Sequence, residues 1–298
     1  MASAFKVMLT GEGGFTGRYL RRTLREQGLP TISMDADITD SVAVNAAIKA
    51  INPDYVIHLA AISSPAHPDP TELYNVNVVG TLNLLDALKK HGQKLQRVIL
   101  ASSASIYGNQ SKSILDETMC PTPVNHYGCS KLAMEHMAMS YSDSFQIIIT
   151  RPFNYIGPGQ SENFLVPKII SAYQHKKRVI ELGNLGVSRE FNDVRSVCSA
   201  YYRLLEIEMS SRPLIVNLCS GRAISLTSII DIMSSIAGYE IEVTVNADYV
   251  RHNEIEILVG CPDRLVEKIG NQFNYAFDDT LSWMYHGGVH NKNSAIGN

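Results

Sequence analysis

The sequence predicts an α/β protein: a doubly wound parallel sheet followed by a smaller α+β lobe. Two observations carry this. Up to Thr150, short apolar runs alternate with amphipathic stretches, the pattern of parallel strands joined by crossover helices on both faces. Beyond Thr150 the alternation loosens into glycine- and proline-bearing loops and mixed elements.

Taken in order, Phe5 to Thr10 reads as a strand, Phe15 to Gln27 as a helix, and Thr31 to Met34 as a second strand. Thr39 or Asp40 caps a helix reaching Ala50, and the short connection from Met34 leaves room for only a vestigial extra strand. Tyr55 to His58 is a third strand, Glu72 to His91 one long helix, and Arg97 to Ala101 a fourth strand. His126 to Tyr141 is helical and Gln146 to Thr150 a buried strand. In the second half, helices are expected over Phe164 to His175, Val194 to Glu208 and Leu226 to Ala237. Strands are expected over Val179 to Leu182, Leu214 to Leu218 and Ile241 to Val245. Residues 1–163 are therefore expected to form mainly a dinucleotide-binding domain, and 164–286 mainly a second lobe with segments that can return to the first sheet. Residues 287–298 are expected to be a flexible tail.

The 298 residues carry 26 Lys plus Arg against 29 Asp plus Glu, a net charge of −3, so there is no basic excess to neutralise a nucleic-acid backbone. No apolar run approaches the roughly 20 residues of a membrane-spanning helix. The opening residues lack a basic region followed by an apolar one. The five cysteines include no Cys-x-x-Cys pair, which argues for reduced thiols and against a zinc ribbon or disulfide scaffold. A cytoplasmic protein without a metal site is expected.

Thr10-Gly11-Glu12-Gly13-Gly14-Phe15-Thr16-Gly17 follows a strand and opens a helix, the context a dinucleotide fingerprint requires. Gly11 permits the tight turn, Gly14 lets the backbone approach a pyrophosphate, and Gly17 lets helix and sheet pack closely. The helix N-terminus offers unpaired N–H groups to the phosphates. This marks the sheet as Rossmann-type. Asp35, at the end of the second strand, is placed to accept hydrogen bonds from an adenosine ribose. Asp37 lies nearby and Arg18 follows the glycine loop, so NAD and NADP both remain open.

Ser103, Tyr127 and Lys131 form the catalytic constellation. Tyr127 and Lys131 stand four apart on one helix face. A free phenol titrates near pH 10, and an adjacent ammonium together with a positively charged nicotinamide is expected to bring it towards the working range. Ser103, just after the fourth strand, is placed to bond a substrate oxygen. His58 reads as a satisfied core imidazole, and Tyr107 and Trp283 read as packing.

These residues carry a resemblance. Gly11-x-x-Gly14-x-x-Gly17, His58-Leu59-Ala60-Ala61, Asn77-Val78-Val79-Gly80-Thr81, Ser103-x-x-x-Tyr107-Gly108 and Tyr127-x-x-x-Lys131 resemble the extended short-chain dehydrogenase/reductase family, over nearly the whole chain. Arg151 to Gln160 matches the family's loop after the sixth strand. Leu182 to Leu185 and Ser188 to Val194 are similar to the branch holding GDP-mannose 4,6-dehydratase and GDP-4-keto-6-deoxy-mannose reductase.

The resemblance implies a nucleotide-diphosphate-sugar substrate, an NAD or NADP cofactor, and a homodimer formed through the helices over 72–91 and 126–141. It implies that Leu59, Ala60 and Ala61 line the cofactor site and that Asn77 helps place a proton-relay water and Lys131. Asn154 and Arg189 would grip the diphosphate or sugar, and Arg251 would pair with the phosphates. Glu254 follows in the same motif, where His252 replaces the family's proline. Ser63, Ser105, Val166 and Lys168 complete the implied substrate slot, although a helix start explains Val166 and Lys168 nearly as well.

One position bears on the reaction. The family's 4,6-dehydratases place a Glu two residues before the tyrosine of Ser/Thr-x-x-x-Tyr-Gly, and here that position is Ser105, preceded by Ala104. Neither is a useful general base. The expectation is therefore reduction of a 4-keto-6-deoxy sugar, GDP-4-keto-6-deoxy-mannose above all, in polysaccharide biosynthesis. Remaining alternatives are a nucleotide-sugar 4-epimerase, a reductase of dTDP- or UDP-linked sugars, and a non-catalytic cofactor-sensing regulator.

Overall fold

The computed structural model describes residues 5–64, 67–110, 112, 114–209, 213–246 and 257–288. β1 (Val7–Thr10) is buried along its whole length, as a strand with helices on both sides must be. A glycine turn leads into α1 (Phe15–Glu26) and β2 (Thr31–Met34). Asp40, rather than Thr39, caps α2 (Ser41–Ile51): its carboxylate accepts from the backbone of Val42 at 2.9 Å and Ala43 at 3.0 Å. No strand forms between Met34 and Asp40.

β3 (Tyr55–His58) is followed by the stretch expected to be one helix. It runs in three parts instead: α3 (Pro70–Tyr74), a π-helical turn (Asn75–Gly80) and α4 (Thr81–His91). The cause is local competition. The Thr81 hydroxyl donates to the Asn77 carbonyl at 2.8 Å, while the Asn77 side chain is drawn to Ile62 and Ser130, outside the helix.

β4 (Arg97–Ala101), a short 3₁₀ turn (Ala104–Ile106), α5 (His126–Met139) and β5 (Gln146–Pro152) complete the first half. The second half comprises β6 (Tyr155–Ile156), α6 (Leu165–Gln174), β7 (Val179–Leu182), β8 (Ser188–Glu190), β9 (Asn192–Asp193) and α7 (Val194–Glu206). It continues with β10 (Leu214–Leu218), β11 (Ala223–Ser225), α8 (Leu226–Ala237), β12 (Glu242–Val245), β13 (Ile257–Leu258), α9 (Asp263–Ile269) and α10 (Phe277–Tyr285).

The main sheet is parallel, with strand order β10-β5-β4-β3-β1-β2. β10 returns from the second half to pair with β5, Leu214 opposite Ile148. One face packs Leu20 and Leu24 of α1 and Val197, Tyr201 and Leu204 of α7 against Leu9, Ile57 and Ile148. The other packs Val44 and Ile48 of α2, Leu84 and Leu88 of α4 and Met134 of α5 against Met8, Val56 and Ile149. A separate core of Ile169, Tyr173, Ile229, Met233 and Leu281 holds α6, α8 and α10 together as the small lobe. At the opposite pole from the glycine loop, the buried Arg97 donates to the carbonyls of Leu204, Leu205 and Ile207, neutralising the C-terminal end of α7.

Candidate active site

The strand order reverses around β1, whose neighbours are β2 and β3, so the C-terminal ends of these strands form the switch point at which sheets of this type take their ligands. The glycine loop fits a dinucleotide there. Gly11 has φ +69°, and a Cβ on it would lie 2.8 Å from the Ala60 nitrogen. Gly17 is pressed against the carbonyls of Gly11 and Glu12, which brings α1 close under the loop. No side chain caps α1 at Gly14, so its first-turn N–H groups stay available to a pyrophosphate.

Asp35 and Asp37 are both exposed at the end of β2. Asp35 accepts from the Ser33 hydroxyl at 2.6 Å. Asp37 accepts from the Thr39 backbone at 2.9 Å and its hydroxyl at 2.8 Å, which together hold its carboxyl below the usual range. After β3 come Leu59, Ala60 and Ala61, with the Ala60 N–H donating to the Thr10 hydroxyl at 3.1 Å. Phe15 stacks on Tyr155 with centroids 6.2 Å apart, and the Thr16 and Tyr155 hydroxyls are hydrogen-bonded at 2.7 Å. The first turn of α1 is thereby pinned to β6. Tyr155 was invisible as a site residue in the sequence, since its partners lie at the far end of the chain.

Ser103, Tyr127 and Lys131 converge at the end of β4, all less than one-tenth exposed. Burial raises the Tyr127 phenol above its ordinary value, and hydrogen bonding from Ser103 opposes the rise. The Lys131 ammonium donates to the Ala101 carbonyl at 2.8 Å, and the low-dielectric pocket that holds the phenol penalises its anion. Lys131 is itself lowered by burial to about 8, with Glu135, one turn further along α5, acting the other way. The Ser105 N–H donates to the Ser103 hydroxyl oxygen at 3.1 Å, fixing the position of that side chain.

Asn77 does not face the crevice with a free amide. Its Oδ1 accepts from the Ile62 N–H at 2.9 Å, and its Nδ2 donates to the Ile62 carbonyl at 3.1 Å and the Ser130 hydroxyl at 3.0 Å. It ties the loop after β3 to α5, and so positions the helix that carries Tyr127 and Lys131.

His58 is the core imidazole that the sequence suggests, and its bonds fix its tautomer. The Thr81 hydroxyl gives its proton to Asn77, so at 2.9 Å it accepts from His58 Nε2–H. Nδ1 then accepts from the Thr10 hydroxyl at 2.6 Å. Burial pushes the imidazole down to about 3, keeping it neutral.

Tyr107 does more than pack. Fully buried, it donates to Asn217 at 2.7 Å and accepts from Arg151 at 3.0 Å. Arg151 clamps Glu135 with two bonds, at 3.0 and 2.7 Å. Trp283 packs as expected, stacked under Arg195 and edge-on to Tyr19.

On the small-lobe side, Asn154 is exposed, its Nδ2 donating to the Glu190 carbonyl at 3.1 Å. Arg189 is half-buried on β8 and Ser63 is exposed after β3. The Val166 side chain is buried in the small-lobe core, and Lys168 donates to the Glu181 carbonyl at 2.9 Å. Both side chains have structural partners of the kind a helix start supplies. Arg251 and Glu254 lie outside the described residues. Among the described residues no cluster of His, Cys, Asp or Glu could hold a metal ion, and no helix is long and apolar enough to cross a membrane.

The chain is similar to known proteins over most of its length. A GDP-6-deoxy-D-talose 4-dehydrogenase from Aggregatibacter actinomycetemcomitans is 36% identical over 275 residues, covering 91% of this chain and 93% of its own length. A GDP-6-deoxy-D-mannose reductase from Pseudomonas aeruginosa is 31% identical over 280 residues, covering 89% and 91%. The solved structure of RMD from Pseudomonas aeruginosa complexed with NADPH superposes with a TM-score of 0.86 at 29% identity, covering 95% of this chain and 97% of that one. The family model of GDP-mannose 4,6 dehydratase matches residues 30–284. The chain belongs to this family of extended short-chain dehydrogenase/reductases, NAD(P)-dependent enzymes that act on nucleotide sugars.

Proposed function

We propose that the protein reduces the C4 ketone of a nucleotide-diphosphate 4-keto-6-deoxy sugar, GDP-4-keto-6-deoxy-D-mannose being the best-supported substrate, to a GDP-6-deoxyhexose for polysaccharide biosynthesis. The observation that carries the reading is the pairing of an assembled Ser103/Tyr127/Lys131 set with a serine, Ser105, where the dehydratases of the family hold their base. Glu135, one turn past Lys131 on α5, is clamped by Arg151 and serves no C5 proton.

A reduced dinucleotide, its pyrophosphate held by the glycine loop, would supply the hydride when bound. Ser103 holds the ketone oxygen, and Tyr127 delivers a proton to it as charge develops. At neutral pH the phenol is protonated, so the tyrosine enters the reaction as a loaded acid. Lys131 keeps a positive charge beside the nascent phenolate. Gly11, Gly13, Gly14, Phe15, Thr16, Gly17, Leu59, Ala60 and Ala61 hold the dinucleotide. Asn154, Arg189 and Arg251 hold the diphosphate, and Ser63, Ser105 and Glu254 face the sugar. Residues 1–163 thus carry mainly the cofactor and 164–286 mainly the substrate, in a cytoplasmic homodimer.

The test is a panel of GDP-, dTDP- and UDP-linked 4-keto-6-deoxy sugars, following loss of reduced-nicotinamide absorbance and identifying products by NMR. Stoichiometric cofactor oxidation, fastest with the GDP sugar, is expected. Interconversion of saturated nucleotide sugars without net cofactor oxidation would identify an epimerase and overturn the reading.

A further inference from the structure

Glu190 is a fully buried acid that the chemistry above does not use. Its Oε1 accepts from the Asn192 amide at 2.8 Å, the Ser220 hydroxyl at 3.0 Å and the Gly221 N–H at 3.3 Å, and also from the Ser220 N–H. Its Oε2 accepts from the Gly260 N–H at 3.1 Å. Its backbone carbonyl accepts from the Asn154 side chain. No ion pair reaches the carboxylate among the described residues; dipoles alone hold it. Burial lifts it above the ordinary carboxylate range, against the pull of those donors.

The donors come from separate parts of the chain. Asn154 follows β5, Ser220 and Gly221 join β10 to β11, and Gly260 follows β13. β8 is the middle strand of its sheet, between β11 and β13, and carries Arg189 next to Glu190. The side chains of Arg189 and Glu190 alternate across that strand. One residue therefore gathers the segments that bear two of the diphosphate-binding candidates, Asn154 and Arg189.

We propose that Glu190 is a positioning residue for substrate capture, its carboxylate and carbonyl locking the β5, β8, β10 and β13 ends into one preformed grip on a nucleoside diphosphate. The proposal rests on the nucleotide-sugar reading above. A preformed grip lowers the ordering cost of binding without touching the reacting atoms, so its loss is read in KM rather than kcat.

The test titrates full-length protein with GDP, UDP and dTDP by calorimetry and with NADPH and NADH by fluorescence, for wild type, Glu190→Gln and Ser220→Ala. The glutamine keeps the volume but turns an amide N–H towards one of the donors. Nucleotide affinity is expected to fall about 10- to 100-fold in Glu190→Gln, the scale of one lost hydrogen bond to a charged group. A smaller loss is expected in Ser220→Ala, with cofactor affinity and saturated kcat unchanged in both. Equal nucleotide affinity in variants and wild type would overturn the proposal. So would a parallel loss of nucleotide and cofactor affinity, which marks a merely structural role. Should Glu190→Gln fail to fold, Ser220→Ala decides by the same criteria. Failure of the wild type to bind any of the three nucleotides would instead remove the functional reading itself.

Discussion

Gly128 and Ser105 touch: a Cβ on Gly128 would stand 2.7 Å from the Ser105 carbonyl oxygen and 2.9 Å from the Pro123 side chain. The absence of a side chain at Gly128 lets the first turn of α5 settle on the loop after β4. That contact sets the reach from the Tyr127 phenol to the Ser103 hydroxyl, since Tyr127 precedes Gly128 and Ser103 lies two residues before Ser105.

Gly128→Ala should therefore push the phenol off its serine. Steady-state kinetics should show kcat down by ~10-fold or more with cofactor affinity intact, and thermal melts a loss of about 1–3 kcal/mol from overpacking. Unchanged kcat would mean that the contact does not govern the catalytic geometry.

The lysine makes a prediction in pH. With Lys131 near 8 in the folded enzyme, kcat/KM for reduction should fall as pH rises through that value and the ammonium is lost. Glu135 acts to raise Lys131, so Glu135→Gln should move the falling limb to lower pH, and Glu135→Asp should restore part of it. The titratable groups that act on or feel Lys131 are Glu135 and the neutral His58. Stability runs in the opposite sense. Between about 8 and the ordinary lysine value of 10.5 the folded form binds fewer protons than the unfolded one, so stability rises with pH across that window and the cost is full below it. Lys131→Met should then raise the melting temperature at neutral pH while abolishing turnover, and its advantage should shrink as pH climbs from 8 to 10.5.

His58 contributes an acid limb to stability. Its folded value of about 3 lies below the ordinary 6.5, so stability is lost as pH falls through that interval and the unfolded imidazole takes up a proton. His58→Phe should flatten this limb in denaturant titrations repeated from pH 7 downward. It should also cost about 1–3 kcal/mol at neutral pH, because the buried Thr10 hydroxyl loses its acceptor. An unaltered acid limb would place the titration elsewhere.

Cofactor choice depends on the end of β2. Asp35 is exposed there, while two arginines of α1 are already engaged: Arg18 donates to the carbonyls of Gly13 at 2.9 Å and Gly159 at 3.3 Å, and Arg21 pairs with Glu12 at 3.0 Å. A carboxylate beside a ribose repels a 2′-phosphate. Asp35→Ala should raise NADPH affinity relative to NADH by roughly 10-fold, measured by fluorescence titration. An unmoved ratio would show that Asp35 does not meet the ribose.

Features governed by local spacing were legible in the sequence. The strand–glycine–helix unit at Gly11 to Gly17 and the Tyr127/Lys131 pair each depend on residues a few positions apart, within one element. What escaped depends on distant partners. Nothing around Glu190 announces that backbone N–H groups of Ser220, Gly221 and Gly260 will converge on it, although an acid closing a strand is the signal to look for. The Glu135–Arg151–Tyr107–Asn217 chain is similar: Glu135 stands one turn past Lys131, but Arg151 sits on β5, Tyr107 after the 3₁₀ turn and Asn217 on β10. The π-turn at Asn75 to Gly80 hid inside an unbroken helical pattern because apolar spacing does not register a carbonyl taken over by Thr81.

The most direct test of the central claim is Tyr127→Phe, assayed with the best 4-keto sugar of the panel alongside a cofactor titration. The account predicts unchanged cofactor affinity and a fall in kcat of at least ~100-fold, the scale of one acid–base group. Near wild-type turnover in that variant would show that the proton reaches the sugar oxygen from somewhere other than Tyr127, and the proposed chemistry would have to be abandoned.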